Sequence, residues 1–309
     1  MTTGAREAKI GFIGAGVVGT ALAFHLGERG YAVIGASSLH LPAARRLAGR
    51  VRGARAFAGA QELASRADLV FVTTPDDAIP EVVKHIRWRK TQGVVHCSGA
   101  RSLDILEPAR QAGARVGSFH PLQTFAGVEQ AIADLPGSTF ALEAKEPLRA
   151  QLKGMAEALQ GRWIVLRAGD KVLYHTGAVL ASNYVVTLIK MATDLWGHFG
   201  VPPVEAAREL LPLLRGTVRN IEAVGLPDCL TGPIARGDIG TLRRHLQGLQ
   251  GKAPSLVRAY GELGLQTIPI ALAKGKIDSG RAKEMERVFR VQGRAKRKRK
   301  ACGSRRLRK

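Results

Sequence analysis

The sequence predicts an α/β protein, a doubly wound parallel sheet followed by an all-helical domain. Three observations predict it. Apolar runs of strand length alternate with helical stretches through the first half. No convincing strand pattern occurs beyond residue 170. At 309 residues the chain also exceeds what one hydrophobic core usually serves. The expected organisation is a sheet domain over 1–167, a helical domain over 168–290 and a basic tail over 291–309.

The elements follow in order. Lys9–Ile13 is a short apolar strand, Gly14–Gly19 a glycine-rich turn, and Val17–Arg29 a helix stopped by Gly30. Tyr31–Ala36 is a strand, Pro42–Arg50 a helix and Arg55–Ala58 a short strand. Ala67–Thr73 (ADLVFVT) is a continuous apolar run, as expected of a strand buried on both faces of a parallel sheet. Val94–Cys97 and Arg115–Phe119 are strands around a helix at Leu103–Gln111. Thr139–Glu143 and Trp163–Leu166 are strands around the helix Lys145–Leu159. Asp170–Phe199 reads as one long helix, stopped by Gly200-Val201-Pro202-Pro203. Val204–Val224, Ile239–Leu249 and Ala253–Ala273 are the later helices.

Composition narrows the function classes. Hydrophobic residues at 45% and charged residues at 23% exclude long-range disorder for most of the chain. Cys97, Cys229 and Cys302 form no C-x-x-C pair, and the eight histidines show no metal-ligand spacing, so neither a disulfide framework nor a metal is expected. No apolar run follows a basic start, and the most apolar segment, Val172–Leu195, is broken by His175, Asn183, Lys190 and Asp194. A cytoplasmic protein is expected. Of the net charge of +22, +10 sits in residues 294–309, which hold ten Lys or Arg and no acid. Such a block is expected to be disordered and to bind nucleic acid at most weakly and non-specifically.

The Gly14-Ala15-Gly16-Val17-Val18-Gly19 turn matches G-x-G-x-x-G with a strand before it and a helix after it, the Rossmann dinucleotide-binding context. Gly14 permits the tight turn, Gly16 lets a pyrophosphate approach the backbone, and Gly19 lets helix and strand pack closely. The first-turn amides at Val17 and Val18 are offered to the phosphates. The second strand ends at Gly35-Ala36-Ser37-Ser38, where an NAD site would place an acid on the ribose. No acid is there. Ser37 and Ser38 suit a 2′-phosphate, so NADP is expected over NAD. Arg45 and Arg46 either offset that charge or are solvated. Thr74 and Pro75 close the fourth strand beside the cofactor, while Asp76 and Asp77 read best as helix caps.

With these residues named, KIGFIGAGVVGTALAFHL and DLVFVTTPDDAI resemble the superfamily of prephenate dehydrogenase, pyrroline-5-carboxylate reductase and ketopantoate reductase. VHCSGA, GSFHPLQTF, YHTGAVLASNY and LTGPIARGD more closely resemble Rossmann-like proteins whose C-terminal domain has no settled function. The similarity spans about residues 8–275. It implies a helical domain like that of 6-phosphogluconate dehydrogenase, a homodimer and an active cleft between the domains. His120 is similar to the histidine of the G-x-H-P segment in prephenate dehydrogenases, with one extra residue before it. A histidine merely fixed in a turn by Pro121 is the alternative. Ser98 ends another strand near the cofactor, and Cys97 reads as a buried filler.

On the long helix Lys171, His175, Ala178 and Ser182 fall within an arc of about 60°. Val172, Leu173, Val179, Leu180, Val185 and Val186 would bury the rest of that helix. The polar stripe then faces a wet cleft or a hydrogen-bonded partner, with Asn183 at its edge. His175 is the acid/base candidate, with Lys171, Ser182, His120 and Asn183 as its companions. Arg236 is placed to hold an anionic substrate, and Asp238 to orient it or to cap the next helix. The expected function is hydride transfer between NADP(H) and a small anionic metabolite. A non-catalytic NADP-binding sensor is the alternative.

Overall fold

The computed structural model describes residues 7–290, so the expectations for the basic tail lie outside the described residues. The chain divides into two compact units, one ending at Asn183 and the other beginning at Tyr184.

The first unit is built on an eight-stranded sheet with the order β3-β2-β1-β4-β5-β6-β7-β8. Its strands are β1 (Ile10–Ile13), β2 (Val33–Ser37), β3 (Arg55–Phe57), β4 (Leu69–Val72), β5 (Gly93–His96), β6 (Arg115–Leu122), β7 (Thr139–Ala144) and β8 (Arg162–Val165). The first six run parallel. β7 reverses against β6 and β8 runs parallel to β7, so the sheet is mostly rather than wholly parallel. Crossover helices are α1 (Val17–Glu28), α2 (Leu41–Ala48), α3 (Ala60–Arg66), α4 (Ile79–Lys84), α5 (Glu107–Gln111), α6 (Val128–Asp134) and α7 (Leu148–Ala158). The sequence reading passed over α3, α4 and α6. Each has six or seven residues, too few to establish a periodicity.

Alternation along the strands sends side chains to two separate cores, which is why the strands read as continuous apolar runs. On one face Phe12, Phe71, Phe119 and Phe140 form a row across β1, β4, β6 and β7, with successive ring centroids 5.2, 5.9 and 4.5 Å apart. Leu22 and Leu26 of α1 and Leu152 of α7 belong to the same core. On the other face Ile13, Val70, Val72 and Val94 belong to a core with Leu63, Ile79, Val83 and Leu106.

The expected long helix is interrupted. α8 (Lys171–Ala181) ends at Ser182, whose φ/ψ of −124/−71° leaves helical geometry, and α9 (Asn183–Gly197) follows. The burial expected of its apolar residues is also corrected. Val172, Leu173, Leu180 and Val186 are 56–79% exposed, while Lys171 is 3% exposed. In α8 the polar stripe is therefore the packed side, and the apolar side faces outward.

The second unit continues with α10 (Pro203–Val224), α11 (Gly232–Ala235), α12 (Ile239–Lys252) and α13 (Val257–Ala273), and residues 279–290 form a further helix. Its core holds Ile239, Leu242 and Leu246 of α12 with Ile268, Met285 and Phe289. Asp238 caps α12, accepting from the Thr241 amide at 3.0 Å and from its hydroxyl at 2.7 Å.

Candidate functional site

The parallel strands β1, β2, β4 and β5 deliver their C-terminal ends to one edge of the sheet, where open α/β sheets bind ligands. Gly14 follows β1 with φ +106°, and a Cβ there would lie 2.6 Å from the Thr73 carbonyl carbon. A Cβ on Gly19 would lie 2.4 Å from Thr73 Oγ1, so both glycines let the turn close on the end of β4. Thr73 Oγ1 donates to the Gly14 carbonyl at 2.7 Å and fixes that approach. Gly16 differs. It is exposed, and nothing comes closer to its added Cβ than Thr73 O at 4.0 Å. The space in front of Gly16 is open.

Val17 and Val18 occupy the first turn of α1, whose N-cap Gly16 supplies no side-chain acceptor. Their amides are the ones a helix leaves without an internal partner. Ser37 Oγ at the end of β2 and Thr74 Oγ1 just past β4 are buried hydroxyls without a hydrogen-bond partner. Open space, unpaired amides and orphaned hydroxyls together fit a dinucleotide lying over this edge. Ser38 is half-buried and accepts a long hydrogen bond from the His40 amide at 3.4 Å. Pro75 is exposed, as are Arg45 and Arg46.

Further along the edge, polar groups converge on the end of β5. Ser98 Oγ donates to Asp76 Oδ2 at 2.6 Å and accepts from the amides of Ala100 at 3.2 Å and Arg101 at 3.0 Å. Asp77 pairs with Arg101. Neither aspartate acts as the helix cap the sequence suggested, because both tie the exit of β4 to the exit of β5. Lys171, the first residue of α8, donates from Nζ to the Ser98 carbonyl at 2.6 Å. Burial lowers its ammonium to about 8, against the pull of Glu143, Cys97 and Asp76. Burial pushes the Cys97 thiol up to about 12, so it stays protonated, in keeping with a packing role.

His120 lies on β6. Its Nδ1 stands 2.7 Å from the Tyr174 hydroxyl. Burial, then Lys171 and His175, lowers His120 to about 4, so the ring is neutral near pH 7. Burial raises Tyr174 to about 12. Where the Tyr174 hydroxyl donates to Nδ1, the ring proton of His120 lies on Nε2. That nitrogen and His175 Nδ1 face one spot. A Cβ built on Gly99 would lie 2.7 Å from His120 Nε2 and 3.0 Å from His175 Nδ1. The two rings sit 6.5 Å apart at 81°, and His175 Nδ1 is buried without a partner. Gly99 is required here because any side chain would push the imidazoles apart.

The structure thus brings Lys171, His175, His120 and Ser98 together. Ser182 is half-buried just past the end of α8, and Asn183 opens α9 as an exposed residue. Arg236 and Asp238 belong to the second unit, where Asp238 is the cap described above. Sequence reading missed Tyr174, Gly99, Asp76 as a Ser98 partner, and His96. The spacing of Tyr174 from Lys171, three residues, was the available signal. His96 is fully buried; its Nδ1 accepts from the Ser98 amide at 3.2 Å, and its Nε2 has no partner.

Two of these rings carry a pH prediction. Burial and Lys171 lower His96 to about 3, and His120 falls to about 4. The unfolded chain binds protons on both near pH 6.5, so it holds more protons than the native state between those values. Stability should be retained above pH 6.5 and fall as pH drops towards 4. His96 alone is worth on the order of 4 kcal/mol across that span. Urea midpoints from pH 7 to pH 4 would show it, and His96→Gln should flatten the slope. A slope unchanged in that variant would refute the assignment.

The chain is similar to known proteins over both of its halves. Residues 2–121 match a Rossmann-like domain, and residues 138–267 match a domain of unknown function, DUF2520. The two matched stretches follow one another in the order that the four motifs resemble. No curated protein matches the chain. Among solved structures, a protein from Thermotoga maritima is 27% identical with a TM-score of 0.70, covering 86% of this chain and 99% of that one. A protein from Bacteroides fragilis assigned as an NADP oxidoreductase is 26% identical with a TM-score of 0.68 and the same coverage. A 1-pyrroline-5-carboxylate reductase from Streptococcus pyogenes shares the fold at 17% identity and a TM-score of 0.58, covering 88% of this chain and 99% of that one.

Proposed function

We propose that this protein is an NADP(H)-dependent oxidoreductase acting on a small anionic metabolite. The observation that carries the reading is the convergence of His120 Nε2 and His175 Nδ1 on Gly99, on the sheet edge that also holds the glycine turn. The likeness to the Bacteroides fragilis protein supports the cofactor and the reaction class. A nicotinamide bound there would supply the hydride chemistry. The Gly16 turn and the amides of Val17 and Val18 hold the pyrophosphate, with Ser37, Ser38 and Thr74 offering hydroxyls.

The protein's own part is proton handling. His120, neutral and held by Tyr174, presents an N–H donor that polarises a substrate oxygen or nitrogen. His175 Nδ1 lacks a partner, so a bound group that pairs with it recovers the roughly 1–3 kcal/mol that an unpaired buried polar atom costs. It is the proposed acid/base. Lys171 positions the Ser98–Gly99 segment through its bond to the Ser98 carbonyl. Arg236, in the helical unit, is proposed to bind an anionic ligand there. The test is NADPH oxidation against a panel of small anionic carbonyl and imine compounds. Absence of turnover with all of them, alongside intact NADPH binding, would favour a sensor.

Cofactor preference is a separate expected outcome. No carboxylate stands at Ser37-Ser38 to repel a 2′-phosphate, so NADPH should bind at least several-fold more tightly than NADH. Fluorescence titration through Trp88, Trp163 and Trp196 measures both, and equal affinities would refute the preference.

We also propose a cytoplasmic homodimer. Val172, Leu173 and Leu180 on α8, and Tyr184 and Val186 on α9, are more than half exposed, a surface of the kind that association covers. By length and composition Lys171–Gly197 would suffice to cross a membrane. Its first residue, however, is bonded to Ser98 within the sheet unit, which favours a partner chain over lipid. Light scattering on the purified protein would decide, with a monomer at micromolar concentration as the contrary result.

A further inference from the structure

The helical unit contains a concavity of about 440 Å³ that the sheet-edge site does not use. Thr231, Arg236, Lys274 and Lys276 line it together with the apolar Leu230 and Ala235. Three cations and no carboxylate therefore share one hollow. None of the acids nearby in sequence lines it, although Arg236 helps to hold the Asp238 carboxyl below its usual range. Asp228 contributes its main-chain carbonyl to Lys274, and Asp238 spends its carboxylate on Thr241.

The cations are not equivalent. Lys274 Nζ donates to the carbonyls of Asp228 at 2.6 Å and Leu230 at 2.8 Å, which holds the ammonium in place and leaves one of its three N–H groups uncommitted. Arg236 and Lys276 are exposed, and among the described residues their side chains make no hydrogen bond or ion pair. Like charges gathered in one hollow raise one another's energy, and a shared anion relieves all three. A guanidinium offers a planar fork of donors, while ammonium groups act as point charges. A fork, two point charges and the Thr231 hydroxyl suit a compact dianion with oxygens in several directions. A monocarboxylate has one charge and two oxygens in a plane, and would leave part of the set unpaired.

We propose that this hollow binds the phosphoryl group of a small metabolite. The inference rests on the assignment of Arg236 to an anionic ligand and names the chemical class of that anion. It does not depend on turnover.

The test is calorimetric titration of the full-length protein with inorganic phosphate at constant ionic strength. One saturable site per chain is expected. An Arg236→Gln/Lys276→Gln double variant should weaken it at least tenfold, with Lys274 left intact because it braces two carbonyls. Acetate at the same ionic strength should bind the native protein no better than phosphate binds the double variant. NADPH affinity should be unchanged in the double variant, which shows that the fold has survived. Phosphate binding that is non-saturable, or equally strong in the double variant, would overturn the proposal and assign the association to other basic segments. Phosphate binding without NADPH oxidation would refute the oxidoreductase reading alone. Oxidation without phosphate binding would refute the hollow alone.

Discussion

Replacing Gly16 with Asp should abolish NADPH binding while leaving the protein folded. The residue is exposed and an added Cβ meets no atom closer than 4.0 Å, so the substitution costs the apo protein little. The side chain instead enters the open space in front of the turn, and its charge opposes the pyrophosphate there. Affinity should fall by at least about 100-fold, or roughly 3 kcal/mol. Fluorescence titration reads the loss and circular dichroism checks the fold. Gly14→Ala is the contrasting control. With φ +106° and the Thr73 carbonyl in the way, it should destabilise the fold itself. NADPH affinity near the native value in a folded Gly16→Asp protein would remove the turn from the cofactor site.

Changing His175 to Ala should lower kcat by roughly 100-fold or more, the usual scale for a positioned acid or base. NADPH binding should persist, because none of the residues at the glycine turn touches this ring. Removing a buried nitrogen that has no partner should not cost stability through a lost hydrogen bond. His175→Asn, which keeps a polar atom near Nδ1, should hold its substrate better than the Ala variant without restoring the rate. Ser182→Ala should do less. A kcat within about threefold of native for His175→Ala would shift the proton-handling role elsewhere in the cluster, with Lys171 the next candidate.

The elements that were legible in advance share one property: their pattern is repeated or their chemistry is unambiguous. ADLVFVT could only be a doubly buried strand, and G-x-G-x-x-G between strand and helix fixed the cofactor edge. The reversal of β7 was hidden, because a strand buried on both faces reads the same in either direction. The Lys171–His175 stripe was visible from its spacing, yet the side of the helix facing the protein was inferred the wrong way. Burial of apolar residues is the sound default for a helix, and it fails for α8, where Val172, Leu173 and Leu180 are exposed. Beyond the spacing of Tyr174 from Lys171, the sequence held no sign of the roles of Tyr174 and Gly99. Their roles arise from the approach of α8 to the β5 and β6 ends, a contact between segments more than fifty residues apart.

The row of four phenylalanines has a bearing on how the site can change. Phe12 stands two residues before Gly14, Phe71 two before Thr73, and Phe119 immediately before His120. The rings thus set a common level for three strands whose next residues make the glycine turn, its Thr73 brace and one of the paired imidazoles. A smaller ring at any one place lets that strand settle along its length relative to its neighbours. The cofactor floor and the proton-handling pair would then lose their alignment together.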